Sequence, residues 1–552
     1  MIGVAVHPAD QDVVAEFFEL FKTPWEFHRT GRRYDVLICT TEPLDNPESG
    51  LILFYGAGGA ESDPASKIRA NPRHGGATLT YEGKRIPIYG DVATFPPNGF
   101  GDLRDDLTRN PAAHLSQSGG RTKLRIGYDL FQEVRHLLTV GQPVANAETP
   151  ALEQHIAVLR DVITRSGIPL VEIPPVPDGY NFMVCLTHDI DHPAVRSHCC
   201  DHTMFGFLYR ATLGTLADVC RGKKPARDLW VNWRAALALP FVYVGLAEDF
   251  WHGFDRYLEL ESGLGATYFV IPRKGYPGRA SVGTGPAMRA SRYDVNEVKP
   301  QLKKVLSSGC EVGLHGIDAW LDSASGREER ERVAQALDAT GEGVRMHWLF
   351  FEANSPVVLD KAGFAYDSSF GYNQTIGYRA GTLQAYKPLG ASSLMELPLH
   401  IMDTALFYPN HLNLSDREAE RMVWKLIDDA ATFGGVLTVN WHDRSIAPER
   451  LWGQFYLKLI DELKTRGVWF PTAARAVSWF KARRSVVFEI VSLEKGAARV
   501  RASVKPHGQL PGFKMRVHRP RARNLSEPIS SRASAGFVDL PFKESVETVI
   551  AL

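Results

Sequence analysis

Cysteine is scarce in this 552-residue chain: the six are Cys39, Cys185, Cys199, Cys200, Cys220 and Cys310, without paired spacing. No disulfide framework is expected, and the sparse usage suits a reducing compartment. Neither sign of charge is in excess, with 63 Lys+Arg against 63 Asp+Glu. The chain as a whole therefore offers no electrostatic case for nucleic acid or an anionic membrane as partner. Long apolar runs are missing too. The nearest, 235–247, is short and contains Pro240, so no membrane span is expected. The stretch Met1 to Pro8 has neither a basic leader nor a long apolar core. It reads as a first strand, and a cytoplasmic protein is the expectation.

What is present is ordinary globular composition, 44% hydrophobic and 23% charged, on a chain long enough for two or three domains and a large core. Strand-like and helical segments alternate through residues 1–175, an N-terminal α/β domain whose role the sequence does not indicate. Gly56-Ala57-Gly58-Gly59-Ala60 follows one strand but lacks the spacing of a nucleotide loop. A tight turn is the expected form. Pro169, Pro174, Pro175 and Pro177 stiffen a connector. Residues 176–484 then repeat strand and helix, which implies a parallel sheet with helices outside, most simply a deformed (β/α) barrel. A helical insertion rich in Trp, Phe and Arg occupies 192–249. Residues 485–552 show short alternating segments and read as a small β-sandwich. From Ser485 onward there are 11 Lys/Arg against 6 Asp/Glu, crowded near Arg516–Arg523. A solvated edge, or a site for an anionic glycan or lipid head group, would account for that excess.

The chemistry gathers at strand ends. Phe182 to Leu186 is apolar and runs into Thr187-His188-Asp189-Ile190-Asp191. Residues i and i+2 of a strand share a side, so the two carboxylates project together where parallel α/β folds place their sites. Close like charges need a cation or a shared proton. The economical reading is an ion bound by Asp191 with Asp189 as base; a helix cap plus a surface acid is the plainer one. His315, Arg345 with His347, Asp367 and His442 stand at further predicted strand ends.

These segments resemble the polysaccharide deacetylases of carbohydrate esterase family 4, over roughly residues 180–480. Thr187–Asp191 is similar to that family's first motif, in its Asp-x-Asp form. Glu311–His315 is similar to the second, which supplies metal histidines. Arg345 resembles the Arg that steadies the base, Tyr366–Ser369 the fourth motif, and Leu437–His442 the fifth, whose His is the general acid. The resemblance implies a metal-dependent de-N-acetylase, a hydrolase of carbohydrate metabolism. It also implies a divalent metal, commonly zinc, and an N-acetylated glycan or glycan precursor as partner.

One departure matters. The family's second motif carries a further His where this chain has Ala319. Asp191 and His315 alone are too few ligands for catalytic zinc. His347 is the first choice for the third and Asp318 the second. His192 and the group His198, Cys199, Cys200, His202 are further candidates. Asp367 or Asp443 would orient His442. Arg345 would hold Asp189 ionised or form a plain ion pair, with Arg379 as another candidate for the steadying role. A backbone N–H near Tyr372 or Asn373 would hold the oxyanion. Trp348 and Trp441 are the best candidates to stack on a sugar, with Tyr372 and Arg379 also placed among substrate-binding residues. Two other readings remain: an amide hydrolase for a small cyclic amide, and a non-catalytic glycan-binding protein with a decayed site.

Overall fold

The computed structural model describes residues 1–41, 49–59, 63, 68–96, 100–118, 121–222, 224–338, 341–494, 497–506, 508–520, 525 and 536–551. Ala60 and residues 521–523, which fall within the readings above, lie outside them.

By packing, the described chain groups into two compact units. The unit that carries the chemistry comprises Tyr180–Arg379 and Gly390–Ser478. Its sheet runs in the order Met395–Glu396, Tyr366–Asp367, Gly343–Met346, Glu311–Gly316, Ala266–Val270, Phe182–Ile190, Val436–Asn440, Ile401–Met402. Val468–Trp469 also pairs with Phe182–Ile190. Every pairing is parallel. The helices between strands include Lys299–Ser307, Ser323–Leu337, Asp416–Phe433 and Gly453–Thr465. This is the expected deformed (β/α) barrel, left open between its two edge strands.

The local reasons are legible. Parallel strands are covered on both faces and read as continuous apolar runs; all nine residues of Phe182–Ile190 are buried. Two of these helix starts are set by side-chain caps. Asp322 accepts from Ala324 N and Ser325 N, and Ser415 with Glu418 forms a reciprocal capping box. Gly253, just before helix Phe254–Leu260, is required by close approach: a Cβ there would meet Asp443 O at 2.2 Å. That contact seats the helix on the loop that carries His442. The insertion forms helices His202–Tyr209, Thr215–Cys220 and Ala226–Tyr243.

The other unit comprises Met1–Gly179, Ala380–Leu389 and Trp479–Leu552. It holds a six-stranded sheet ordered Ala113–Ser118, Arg121–Ile126, Ser49–Tyr55, Tyr34–Cys39, Ile2–Ala5, Trp25–Phe27. Gly56 follows a strand of this sheet. Its carbonyl and that of Gly58 accept from the buried Arg125 guanidinium, the arrangement of a pinned turn.

The tail contributes to two antiparallel sheets: Leu170–Glu172 with Phe513–His518 and Phe537–Phe542, and Val487–Glu494 with Ala497–Ser503 and Ser545–Ala551. Val171, Ala498, Val500 and Ile550 pack between them. The strand Leu170–Glu172 lies within the Pro-rich connector, so tail and connector share a unit. Arg516 in the tail is bound to Asp539 through two hydrogen bonds of 2.8 and 2.9 Å.

Candidate metal centre

Strand alternation decides which side chains meet. On Phe182–Ile190, Thr187 and Asp189 share one side, and Asp191 follows in the bend beyond. Neighbouring strands deliver His315, in register with Arg345, and Asn440, in register with Thr187. His347 begins a short 3-10 turn directly after Gly343–Met346. Trp348 in that turn has a left-handed backbone, φ 65°, which is uncommon for a bulky residue and marks a constrained turn.

Asp189 is buried and held from both sides: Oδ1 accepts from Arg345 Nη1 at 3.0 Å and Oδ2 from Asn440 Nδ2 at 2.7 Å. Arg345 also donates to Thr187 Oγ1, Ser368 O and Ser368 Oγ. Burial alone would raise the Asp189 carboxyl, but Arg345, His315 and His442 together outweigh it and hold the group below the usual carboxylate range.

Asp191 has a different company. Its Oδ1 lies 3.3 Å from His315 Nε2 and 3.6 Å from His347 Nε2. That oxygen is buried yet receives no hydrogen bond from the described residues. One ligand atom from each of Asp191, His315 and His347 falls within 4.8 Å of the other two. His315 Nδ1 sits 2.9 Å from the Arg345 carbonyl, so Nδ1 carries a proton and Nε2 is the nitrogen turned toward Asp191. Burial pushes His347 down to about 3, which leaves the neutral ring that a ligand requires. A carboxylate and two imidazoles are a donor set that fits a divalent transition metal, zinc included.

His442 Nε2 stands 3.8 Å from Asp191 Oδ2. Its Nδ1 meets Asp403 Oδ1 at 2.6 Å, and its backbone N–H donates to Asp403 Oδ2 at 2.8 Å. Burial opposes charge on this ring, but Asp403, Asp191 and Asp189 together raise it to about 10.

These groups line a cavity of about 800 Å³ with His192, Trp348, Asn373, Tyr408 and others. Another stretch of its wall is cationic, with Arg210, Arg444 and Arg450. Arg444 Nη2 donates to Tyr408 Oη at 3.2 Å, and Arg450 lies over the same ring at 5.8 Å. Burial would raise the Tyr408 hydroxyl, but Arg444 and Arg450 draw it down to about 7. Arg210 lies 3.5 Å from Glu449, yet both its Nη atoms are shielded from solvent without a hydrogen-bond acceptor among the described residues. Such a wall can accept an anionic group.

Other residues singled out in the sequence have other partners. The carboxylate on His442 is Asp403; Asp367 accepts from Ser369 Oγ at 2.5 Å and stands in register with Glu396. Asp443 accepts from the backbone N–H groups of His192 and Arg444. Asp318 is engaged by Tyr276 Oη and Arg279. Arg379 donates to Gly371 O and stacks on Phe370, away from Asp189, whose steadying cation is Arg345. Trp441 is fully buried and lies parallel to Phe455 at 6.0 Å; among the two tryptophans only Trp348 lines the cavity. Tyr372 is buried and is not part of the lining. His192 Nδ1 meets His198 Nε2 at 3.0 Å, and His198 binds Asp201, while Cys199 and Cys200 are exposed. Asp403 carried no sequence signal: it follows a strand of only two residues, Ile401–Met402.

No family model matches the chain, and no curated protein matches it. Among solved structures it is similar to a protein of Mycobacterium smegmatis described as a polysaccharide deacetylase, with 17% identity and a TM-score of 0.36 over 57% of this chain and 96% of that one. It is similar to Puue allantoinase, with 13% identity and a TM-score of 0.33 over 55% of this chain and 92% of that one. A protein of Pseudomonas aeruginosa described as a polysaccharide deacetylase shows 13% identity and a TM-score of 0.34 over 58% of this chain and 96% of that one.

Proposed function

We propose that the protein is a metal-dependent hydrolase that removes N-acetyl groups from N-acetylhexosamine residues of a glycan or glycan precursor. The observation that carries this reading is the buried Asp191 oxygen that receives no hydrogen bond while two imidazole nitrogens face it at 3.3 and 3.6 Å. A buried acceptor without a donor is costly, and a cation relieves it. Asp191, His315 and His347 would hold the metal, for which zinc is our choice. When bound, it supplies positive charge that polarises an amide carbonyl and acidifies a water.

The chain's own residues divide the proton work. Asp189 is ionised, buried and anchored by Arg345 and Asn440. It takes the proton from the attacking water as the new C–O bond forms. His442, kept charged by Asp403, gives a proton to the amide nitrogen as the C–N bond breaks. Acetate and a free amine leave. Trp348, at the cavity wall, offers a face for the sugar ring. The cationic wall of Arg210, Arg444 and Arg450 favours a substrate that also bears phosphate or carboxylate. In this reading the remaining role of Asp367 is to brace Ser369, whose Oγ accepts from Met346 N, beside His347.

The test is acetate release from a panel of N-acetylated sugars, neutral and phosphorylated, by metal-loaded protein, with Asp189→Asn as control. Release from no sugar in the panel, together with hydrolysis of a small cyclic amide, would transfer the chemistry to the alternative substrate class.

A further inference from the structure

The insertion has one apolar face more than its own packing uses. Helix His202–Tyr209 continues through a π turn, Arg210–Gly214, into Thr215–Cys220, and Ala226–Tyr243 lies against it. A buried hydrogen bond of 2.7 Å from Asn232 Nδ2 to Thr215 Oγ1 ties the two. Both helices bury a first apolar face: Met204, Phe207, Ala211, Leu239 and Val242 join Trp251 in one cluster.

A second apolar face is exposed on each. Phe205, Tyr209, Leu213 and Leu216 follow helical spacing on one helix, and Trp230, Trp233, Leu237 and Phe241 follow it on the other, with Val244 just beyond its end. Trp230 is 68% and Leu237 71% accessible. Isolated exposed hydrophobics need no explanation, but such stripes on two helices that pack together mark an interaction surface. No described helix is long and apolar enough to cross a membrane, so a lipid-bound form would lie in the interface plane. The flanking charge is in basic excess. Residues 202–248 hold six Lys/Arg against three Asp/Glu, with Arg221, Arg227 and Arg234 exposed. Neutrality of the chain as a whole conceals this local excess.

We propose that these helices dock the protein on an anionic bilayer, with Trp, Tyr, Phe and Leu side chains entering the headgroup boundary and the basic residues meeting lipid phosphates. The composition favours lipid over a protein partner because aromatic rings and basic side chains occupy the same surface, as interfacial helices require. Helix His202–Tyr209 also presents His202, Thr203 and Gly206 to the cavity, so the docked element is itself part of the cavity wall.

The test is co-sedimentation of the full-length protein with phosphatidylcholine vesicles, with and without phosphatidylglycerol. The expected result is binding that requires the anionic lipid, weakens with salt, and shifts tryptophan emission to the blue. The triple variant Trp230→Gln, Leu237→Gln, Phe241→Gln should bind at least about 10-fold more weakly with an unchanged far-UV spectrum and melting temperature. Arg227→Ser with Arg234→Ser should weaken binding without abolishing the dependence on phosphatidylglycerol. Wild-type protein that fails to sediment with either vesicle overturns the proposal. So does equal vesicle binding by the triple variant. Light scattering that shows a dimer broken by the triple variant, without vesicle binding, would assign the face to a second copy instead.

Discussion

The two sides of one strand make the instructive contrast. His188 and Asp189 are neighbours on Phe182–Ile190 and point to opposite faces. Both ring nitrogens of His188 have partners. Its Nδ1 meets Trp441 O at 2.9 Å, its Nε2 meets Glu261 at 3.1 Å, and Tyr456 donates to that same carboxylate. Tyr257 packs on the ring at 3.9 Å. On Asp189's side, Asp191 Oδ1 and His347 Nδ1 have no hydrogen-bond partner among the described residues, and a cavity adjoins them. Both faces bury carboxylates and imidazoles. What separates structure from chemistry is unmatched valence together with access, which residue types alone do not reveal.

That contrast can be broken most forcefully at Asp189. Asp189→Asn should lower kcat for acetate release about 10²- to 10⁴-fold while metal content stays at the wild-type value, as measured by steady-state kinetics and elemental analysis. A parallel fall in metal would make Asp189 a ligand and merge its role with that of Asp191. Next in size is Asp403→Asn, expected to cost about 10²-fold in kcat. Loss of that charge lowers the His442 pKa, so the protonated form is lost at lower pH. The alkaline limb of the pH–rate profile should therefore move down; a profile that keeps its position would separate Asp403 from the proton transfer.

The opposite face should respond only in stability. His188→Phe leaves the buried Glu261 carboxylate with Tyr456 but without its imidazole partner and should cost about 2 kcal/mol in denaturant unfolding, with metal content and kcat intact. Loss of metal from this variant would erase the distinction between the faces. A further, milder effect is expected at the cationic wall. Arg444→Gln should raise KM about 10-fold for a phosphorylated sugar and leave KM for a neutral one unchanged, which a comparison of the two substrates checks.

The barrel was legible in the chain because alternating strand and helix patterns are local and parallel strands are plainly apolar. The convergence of Asp189, Asp191, His315 and His347 was legible for the same reason, since strand ends share a rim and i, i+2 residues share a side. Alternation could also have placed Trp441. It lies between Asn440 and His442, which face the site, so its ring turns to the side of His188. Asp403 was not legible because a two-residue strand has no pattern to read. The pairing of Leu170–Glu172 with Phe513–His518 was hidden too: partners so distant in sequence leave no local signature, only a β-rich surface in need of a neighbour. The exposed stripes of the insertion were visible as composition, but only the fold shows which of two apolar faces each helix buries.

The most direct measurement is the metal content of purified wild-type protein beside His347→Ala, Asp191→Ala and His188→Phe, with melting temperature recorded with and without added zinc. The account predicts a bound divalent ion and zinc-dependent stabilisation in wild type and His188→Phe, and near-complete loss of both in His347→Ala and Asp191→Ala. A wild-type protein that binds no divalent ion, or an Asp191→Ala variant that retains it in full, would contradict the account.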